Sequence, residues 1–355
     1  MKIAHFCQMA PEGNPTGTSG MYLVTKDMIK YERRAGHSSE LIDPYNEFPD
    51  KSVNDGWLTP KPWKWSTGAE VWVVHRAVPT PLIPVQKNHA LICPLHGPAM
   101  HMLQMEIESG GSSTNFNHNI NMIWNYDRAI ALCPNDYEIL RLYDVNQKLL
   151  YIQDAIDMEE HSLEGMTWNF QHHPAIVISD TVRETKFPAH IVWALPGIAK
   201  LVPDARLNWF GFTRFVMNTY RNMMARSANW KIMNLIETIV CTGAGDLKPF
   251  FRGADIGFVN EINGRAGRTV PEKMACGLPI VSYDGFYTKY HAKAWNLESI
   301  AKAVEECWHD IEKLGKEKMR KYCHNFALEH FNMEKKVNDE YLPLYREVLE
   351  EKGLE

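Results

Sequence analysis

Short apolar runs rich in β-branched residues recur along the chain, each bounded by glycine, proline or polar clusters and most followed by a stretch with helical spacing. In the first half they predict strands over residues 2–9, at Leu41-Ile42, over Glu70–His75, Ala90–Cys93 and Lys148–Ile152, with helices over Met21–Arg34 and near Asp136–Tyr143. In the second half they predict strands over Ala175–Ser179, Ala205–Phe210, Ile239–Thr242 and Ile256–Val259, a further strand at Ile280-Val-Ser, and helices from about Glu298. Strands separated by helices imply a parallel, doubly wound α/β sheet. A stretch rich in His, Gln and Trp at 160–173 parts the two series, so the expected domains are 1–170 and 171–335, with a closing helix over 336–355.

Length supports the division, because 355 residues exceed one ordinary core and suit two domains. The net charge of −5 excludes a uniformly basic nucleic-acid binder while leaving room for a local patch. Seven cysteines, odd in number and without CxxC spacing, suggest neither a disulfide framework nor a zinc site. A soluble protein of the reducing cytoplasm is the expectation, since the N-terminus runs straight into a strand and no window approaches a membrane span.

The most informative segment reads Arg265-Ala-Gly-Arg-Thr-Val-Pro-Glu272-Lys-Met-Ala-Cys-Gly277-Leu-Pro279-Ile-Val-Ser. Pro271 and Glu272 can open a helix, since proline is tolerated in a first turn and a carboxylate suits the positive helix end. Gly277 then ends it and Pro279 forbids its continuation. Gly264 and Gly267 lie just before, where backbone amides can approach an anion closely. A second glycine-bearing unit, with Ser19-Gly20 before the first helix, opens the chain.

The segment resembles the donor-site signature of family 4 retaining glycosyltransferases of the GT-B fold, written Glu-Gly-Phe-Gly, then Glu-Ala-Met-Ala-Cys-Gly-x-Pro-Val-Val. The resemblance implies two Rossmann-like doubly wound domains with an interdomain cleft and a C-terminal helix that crosses back onto the first domain. It implies a nucleotide-diphosphate sugar as donor, most simply a UDP-sugar, held mainly by the second domain, and no further cofactor. On this resemblance Glu272 takes the ribose hydroxyls, while Ser19, Gly20, Gly264, Arg265, Gly267 and Arg268 line the donor site. Arg183 and Lys186 stand where the family places cations against the diphosphate, although the family's spacing would put its arginine at Thr181. Arg183 can substitute there, or Arg265 and Arg268 can reach in. His96, in Cys93-Pro-Leu-His-Gly97, resembles a His-Gly element that contacts the donor sugar, with no general-base role attached.

One departure matters more, because the family's first glutamate falls on Gly264, and Glu261 compensates only if the loop is rearranged. Phage DNA α-glucosyltransferases, which share this fold and act on hydroxymethylated cytosine, also lack that glutamate. The acceptor is thus open among a glycan, a lipid, a small molecule and a hydroxymethylated pyrimidine in DNA. Arg206, Arg214, Arg221, Arg226 and Lys231 interleave with Trp209, Phe212, Phe215, Tyr220 and Trp230, a pattern that suits a phosphate backbone with stacked bases, an anionic lipid surface or a plain solvated helix. Trp57, Trp63 and Trp65 with Lys61 and Lys64 offer aromatic platforms on the acceptor side. No metal is expected, because the Asp-x-Asp arrangement is missing and His172-His173 has no partner at ligand spacing. A catalytically silent sugar-nucleotide binder, or another GT-B sugar-phosphate enzyme, is the alternative.

Overall fold

The computed structural model describes residues 1–7, 20–43, 61–62, 68–75, 88–96, 99, 102–103, 107, 115–179, 189–210, 232–240, 246–261, 267–283 and 288–354. The chain forms two compact units, Met1–Asp157 with Phe331–Glu355, and Met158–His330. In the first, the elements are β1 (Lys2–Phe6), α1 (Gly20–Arg34), β2 (Ser38–Asp43), β3 (Lys61–Pro62), β4 (Val71–Val74), β5 (Ala90–Leu95), α2 (Asn115–Asn125), β6 (Arg128–Ala131), α3 (Pro134–Leu140) and β7 (Leu149–Tyr151). The second contains β8 (Ala175–Ile178), α4 (Ala189–Leu201), β9 (Arg206–Phe210), β10 (Ile236–Val240), α5 (Lys248–Gly253), β11 (Ile256–Val259), α6 (Thr269–Ala275), β12 (Ile280–Tyr283), β13 (Tyr290–Ala292), α7 (Leu297–Leu314) and α8 (Lys316–His330). The chain then returns to the first unit with α9 (Met333–Lys336), a π turn and α10 (Leu342–Glu351).

Among the described residues the strand orders are β3-β2-β1-β4-β5-β6-β7 and β10-β9-β8-β11-β12-β13. Every strand pair is parallel. In each sheet the order reverses once, at β1/β4 and at β8/β11, the doubly wound arrangement in which ligands gather beyond the carboxyl ends of the strands. Alternation along the strands builds two cores per sheet. Phe6, Trp72, Leu91, Cys93 and Ala131 face α2, whereas Ile3, Val71, Val73, Ile92 and Ile130 face α1 and the returning C-terminal helix. Val337, Tyr345, Val348 and Leu349 of that helical return are buried there, each burial contributing about 1.5–3 kcal/mol.

β5 extends past Cys93, where the expected strand ended, and includes Pro94, which pairs with Ile130 of β6. The proline is tolerated because the β4 register stops at Ile92, so its missing amide costs no ladder bond. β10 begins at Ile236, three residues before the expected Ile239, and Thr242 lies outside the described residues. The misleading residue is Glu237, whose charge breaks the apolar run but whose Oε1 accepts a hydrogen bond from Gln171 N at 2.7 Å.

The units change over at Asp157/Met158 and His330/Phe331, rather than near 170 and 335. The stretch expected to be a linker is packed onto the second unit: Arg252 Nε donates to Ser162 O at 2.9 Å, Trp168 N to Pro249 O at 2.9 Å, and Arg320 to Leu163 O at 3.2 Å. Phe170 is buried beside Phe210 and Phe251. Gly253 permits this approach, since a Cβ there would meet Trp168 O at 2.0 Å.

Candidate functional site

The crossover from β11 to β12 carries the sequence signature. Ile256, Phe258 and Val259 are buried, and the chain leaves the sheet through Asn260 and Glu261, which are buried as well. After residues outside the described set it reappears at Gly267, and α6 begins at Thr269, two residues earlier than Pro271 suggested. Pro271 falls within the first turn, so its missing amide lies among donors that have no helical partner anyway. The other end is a Schellman turn: Gly277 N donates to Met274 O at 2.9 Å and Leu278 N to Lys273 O at 3.0 Å. Gly277 has φ +85°, and a side chain there would strike Leu163 Cδ2 at 2.6 Å.

Arg268 and Glu272 are four residues apart and meet on one face, with Nε 2.7 Å from Oε1. Arg268, assigned to the donor site by resemblance, is 9% exposed with its guanidinium held against this carboxylate. His161 Nε2 stands 4.0 Å from the same oxygen. Oε2 of Glu272 accepts no hydrogen bond among the described residues, and the side chain keeps 17% of its surface. One face of the carboxylate is therefore fixed while the other can accept hydroxyl donors.

Sequence reasoning missed three side chains here. Lys273 is wholly buried, its Nζ donating to Phe258 O at 3.2 Å and lying 5.9 Å from the Phe251 ring centre. It shares the inward face with Val270 and Met274, and that i, i+3, i+4 spacing was the available signal. Asn260 is 0% exposed, and neither its amide nitrogen nor its oxygen has a hydrogen-bond partner among the described residues. Ser179 Oγ, just past β8, is likewise buried and has no partner among the described residues. β8 and β11 are neighbours at the reversal of the strand order, so both groups sit where a ligand of this fold class would satisfy them. Leaving such groups bare costs about 1–3 kcal/mol each.

In the first unit, Gly20 opens α1, and a Cβ added there would meet nothing within 4 Å. His96 follows β5 and is not a lone histidine: its Nε2 lies 3.0 Å from His75 Nδ1, and His75 Nε2 lies 2.8 Å from His5 Nδ1. His5 Nε2 in turn lies 2.7 Å from Glu32 Oε2. Burial, followed by the charges of His5 and His96, holds the His75 imidazole well below its ordinary range, so it stays neutral.

Ser19, Trp57, Trp63, Lys64, Trp65, Arg183, Lys186, Arg214, Arg221, Arg226, Gly264 and Arg265 lie outside the described residues. Two members of the basic and aromatic stretch are accounted for otherwise. Trp209 is wholly buried in the second core, and Arg206 donates to Pro203 O and Ala205 O beside it. His173 Nδ1 lies 2.6 Å from Asp255 Oδ2 and His172 3.5 Å from Glu237, carboxylates from distant positions that fix the residues leading into β8. The described cysteines are all buried, and burial pushes the Cys276 thiol up to about 12, so none is a ready nucleophile.

No family model matches the sequence, and no curated protein sequence matches it. Solved structures do match it in shape. A glycosyltransferase from Rickettsia africae superposes with a TM-score of 0.72 at 16% identity, covering 98% of this chain and 98% of that one. Sucrose-phosphate synthase from Thermosynechococcus elongatus gives 0.72 at 13%, covering 99% of each. HepE of Anabaena, in complex with UDP and glucose, gives 0.67 at 12%, covering 98% and 99%. At such identities the likeness establishes the fold, which is GT-B. Among the described residues no helix is long and apolar enough to cross a membrane.

Proposed function

We propose that the protein is a retaining glycosyltransferase that moves a sugar from a nucleoside diphosphate sugar, a UDP-sugar, to an acceptor hydroxyl. The observation that carries this reading is the Glu272 carboxylate, held by Arg268 through Oε1 and open at Oε2, on the crossover helix that leaves β11. A ribose offers two neighbouring hydroxyl donors, which an ionised carboxylate accepts well. Asn260 and Ser179, buried at the β8/β11 reversal with no partner among the described residues, supply polar atoms for the diphosphate or sugar. Gly267 and the sequence-assigned Gly264 let the backbone approach the phosphates, and Arg183, Lys186 and Arg265 supply cations for the charge that develops on the leaving diphosphate. Bound UDP and glucose in HepE, a protein of the same fold, also supports the reading.

In this reaction the bond from sugar C1 to the diphosphate oxygen breaks, its electron pair leaving with UDP. The acceptor oxygen bonds to C1 and releases its proton. Glycine at position 264 removes the carboxylate that the family resemblance would put on a sugar hydroxyl, so the sugar must be held by other groups. The acceptor remains the hydroxyl of a glycan, a lipid, a small molecule or a hydroxymethylated pyrimidine in DNA, with Trp63, Trp65, Arg221 and Arg226 as the sequence candidates for holding it.

The test is incubation with pooled nucleotide sugars and a panel of these acceptors, duplex DNA containing hydroxymethylated pyrimidines among them, with mass spectrometry of products and of free nucleotide. A hexose or pentose mass gain together with UDP release supports the reading. UDP-sugar binding without transfer or UDP release across the panel would replace it with a catalytically silent binding protein.

A further inference from the structure

The imidazoles of His5, His75 and His96 stand in file across β1, β4 and β5, three adjacent strands whose carboxyl ends straddle the reversal of strand order in the first sheet. Ring centres are 5.2 Å and 5.3 Å apart along the file. The inner end is Glu32 of α1, wholly buried, which also faces Ser39 Oγ at 2.6 Å and the Tyr345 hydroxyl at 3.2 Å. His5 and His75 are buried completely, and His96 is half-buried at the sheet edge. Both nitrogens of His5 and both of His75 are engaged within the file.

That arrangement admits two fully hydrogen-bonded neutral-ring states. With Glu32 ionised, His5 must donate through Nε2, so its Nδ1 accepts from His75 Nε2–H, and His75 Nδ1 accepts from His96 Nε2–H. His96 then carries its basic lone pair on Nδ1. With Glu32 protonated every bond reverses, and all three rings hold their proton on Nδ1. The two states differ by one proton, and no ring needs to become a buried cation, which the depression of His75 disfavours. A core needs no such file, since apolar side chains fill volume without the cost of buried polar groups.

We propose that His96, His75, His5 and Glu32 form a proton relay that carries a proton from the carboxyl edge of the first sheet to a buried carboxylate. A substrate hydroxyl gives its proton to His96 Nδ1, His96 passes its Nε2 proton to His75 Nδ1, His75 passes its own to His5 Nδ1, and His5 passes its own to Glu32 Oε2. The substrate oxygen keeps the electron pair for its new bond, and the return of the proton to solvent resets the file. The assignment of that hydroxyl to a sugar acceptor rests on the transferase reading; the relay itself does not. Groups that bear on its balance are Tyr345 and Tyr341 from the C-terminal return and His37 from the turn after α1, all within electrostatic reach of Glu32.

Long-range ¹⁵N–¹H spectra of the full chain labelled with ¹⁵N-histidine distinguish the two tautomers and the imidazolium, and are recorded between about pH 5 and 9. The relay requires His5, His75 and His96 to exchange Nε2–H for Nδ1–H together, at one macroscopic midpoint, without an imidazolium signal. In a Glu32→Gln protein, which keeps an acceptor for His5 but cannot store the proton, the joint exchange disappears. Protonation of His96 alone to imidazolium, with the inner rings unchanged, or no change in any ring, overturns the proposal. The wild-type titration decides the matter even if the variant does not fold, and an absence of sugar transfer leaves it unaffected.

Discussion

Arg268 holds Glu272 by a 2.7 Å contact to one carboxylate oxygen, leaving the second oxygen without a protein donor among the described residues. An arginine expected on a phosphate is thus the orienting partner of the residue expected on the ribose. Glu272→Ala is expected to weaken UDP binding by about 10- to 100-fold, the equivalent of losing hydrogen bonds to a charged group. Arg268→Met should cost less, because it loosens the carboxylate without removing it. Isothermal calorimetry with UDP reads both, and an unchanged affinity in Glu272→Ala removes the ribose assignment.

Gly253 is the point at which the connecting segment presses against α5. A Cβ there would meet Trp168 O at 2.0 Å and Trp168 C at 2.9 Å, backbone atoms that cannot rotate away. Gly253→Ala should therefore lower stability by about 1–3 kcal/mol, in the range of overpacked sites. Urea denaturation measures the loss, and limited proteolysis should show new cleavage within 160–173. An unaltered midpoint with an unaltered digest would mean that the segment is not packed as described.

Stability should fall as the solution becomes acidic. His75 is held well below its ordinary range by burial and by His5 and His96, and burial lowers His37, His89 and His190 too. The unfolded chain takes up these protons near pH 6.5, whereas the folded chain resists them, so stability is full above about pH 6.5 and is lost as pH drops toward the folded values. For His75 the slope is at most about 1.4 kcal/mol per pH unit. Urea midpoints at pH 8 and 5.5 test the direction, and His75→Gln should flatten the dependence. A protein equally stable at both values contradicts the assignment.

If DNA is the acceptor, the double charge reversal Arg221→Glu with Arg226→Glu should abolish DNA binding while UDP binding survives. Each lost phosphate contact also reduces the salt dependence of binding. Fluorescence anisotropy with a labelled duplex at two salt concentrations measures both quantities. Unchanged DNA affinity would turn the search to glycans, lipids and small molecules.

Much of the donor-side crossover was legible because its constraints are local. Ile256–Val259 is both the expected and the observed strand, since a β-branched apolar run bounded by polar residues has few other uses. Gly277 terminates α6 as expected, because its φ of +85° strains any residue with a side chain. The stretch 160–173 is less legible for the complementary reason: His, Gln and Trp look like a solvated linker until the remote Arg252, Pro249 and Arg320 are brought against it.

Local pattern is enough to specify a pair of doubly wound parallel sheets and a short helix carrying Glu272 between two of the strands, since periodicity, proline and glycine act within a few residues. Folding alone sets Arg268 against one oxygen of Glu272, buries Asn260 and Ser179 at one strand reversal with no partner among the described residues, and lines up residues 5, 32, 75 and 96 in a single hydrogen-bonded file. The physical reason is the strand order: a parallel sheet places β1 beside β4 and β8 beside β11, neighbours in space that are remote in the chain, and no local pattern encodes which polar side chains will meet there.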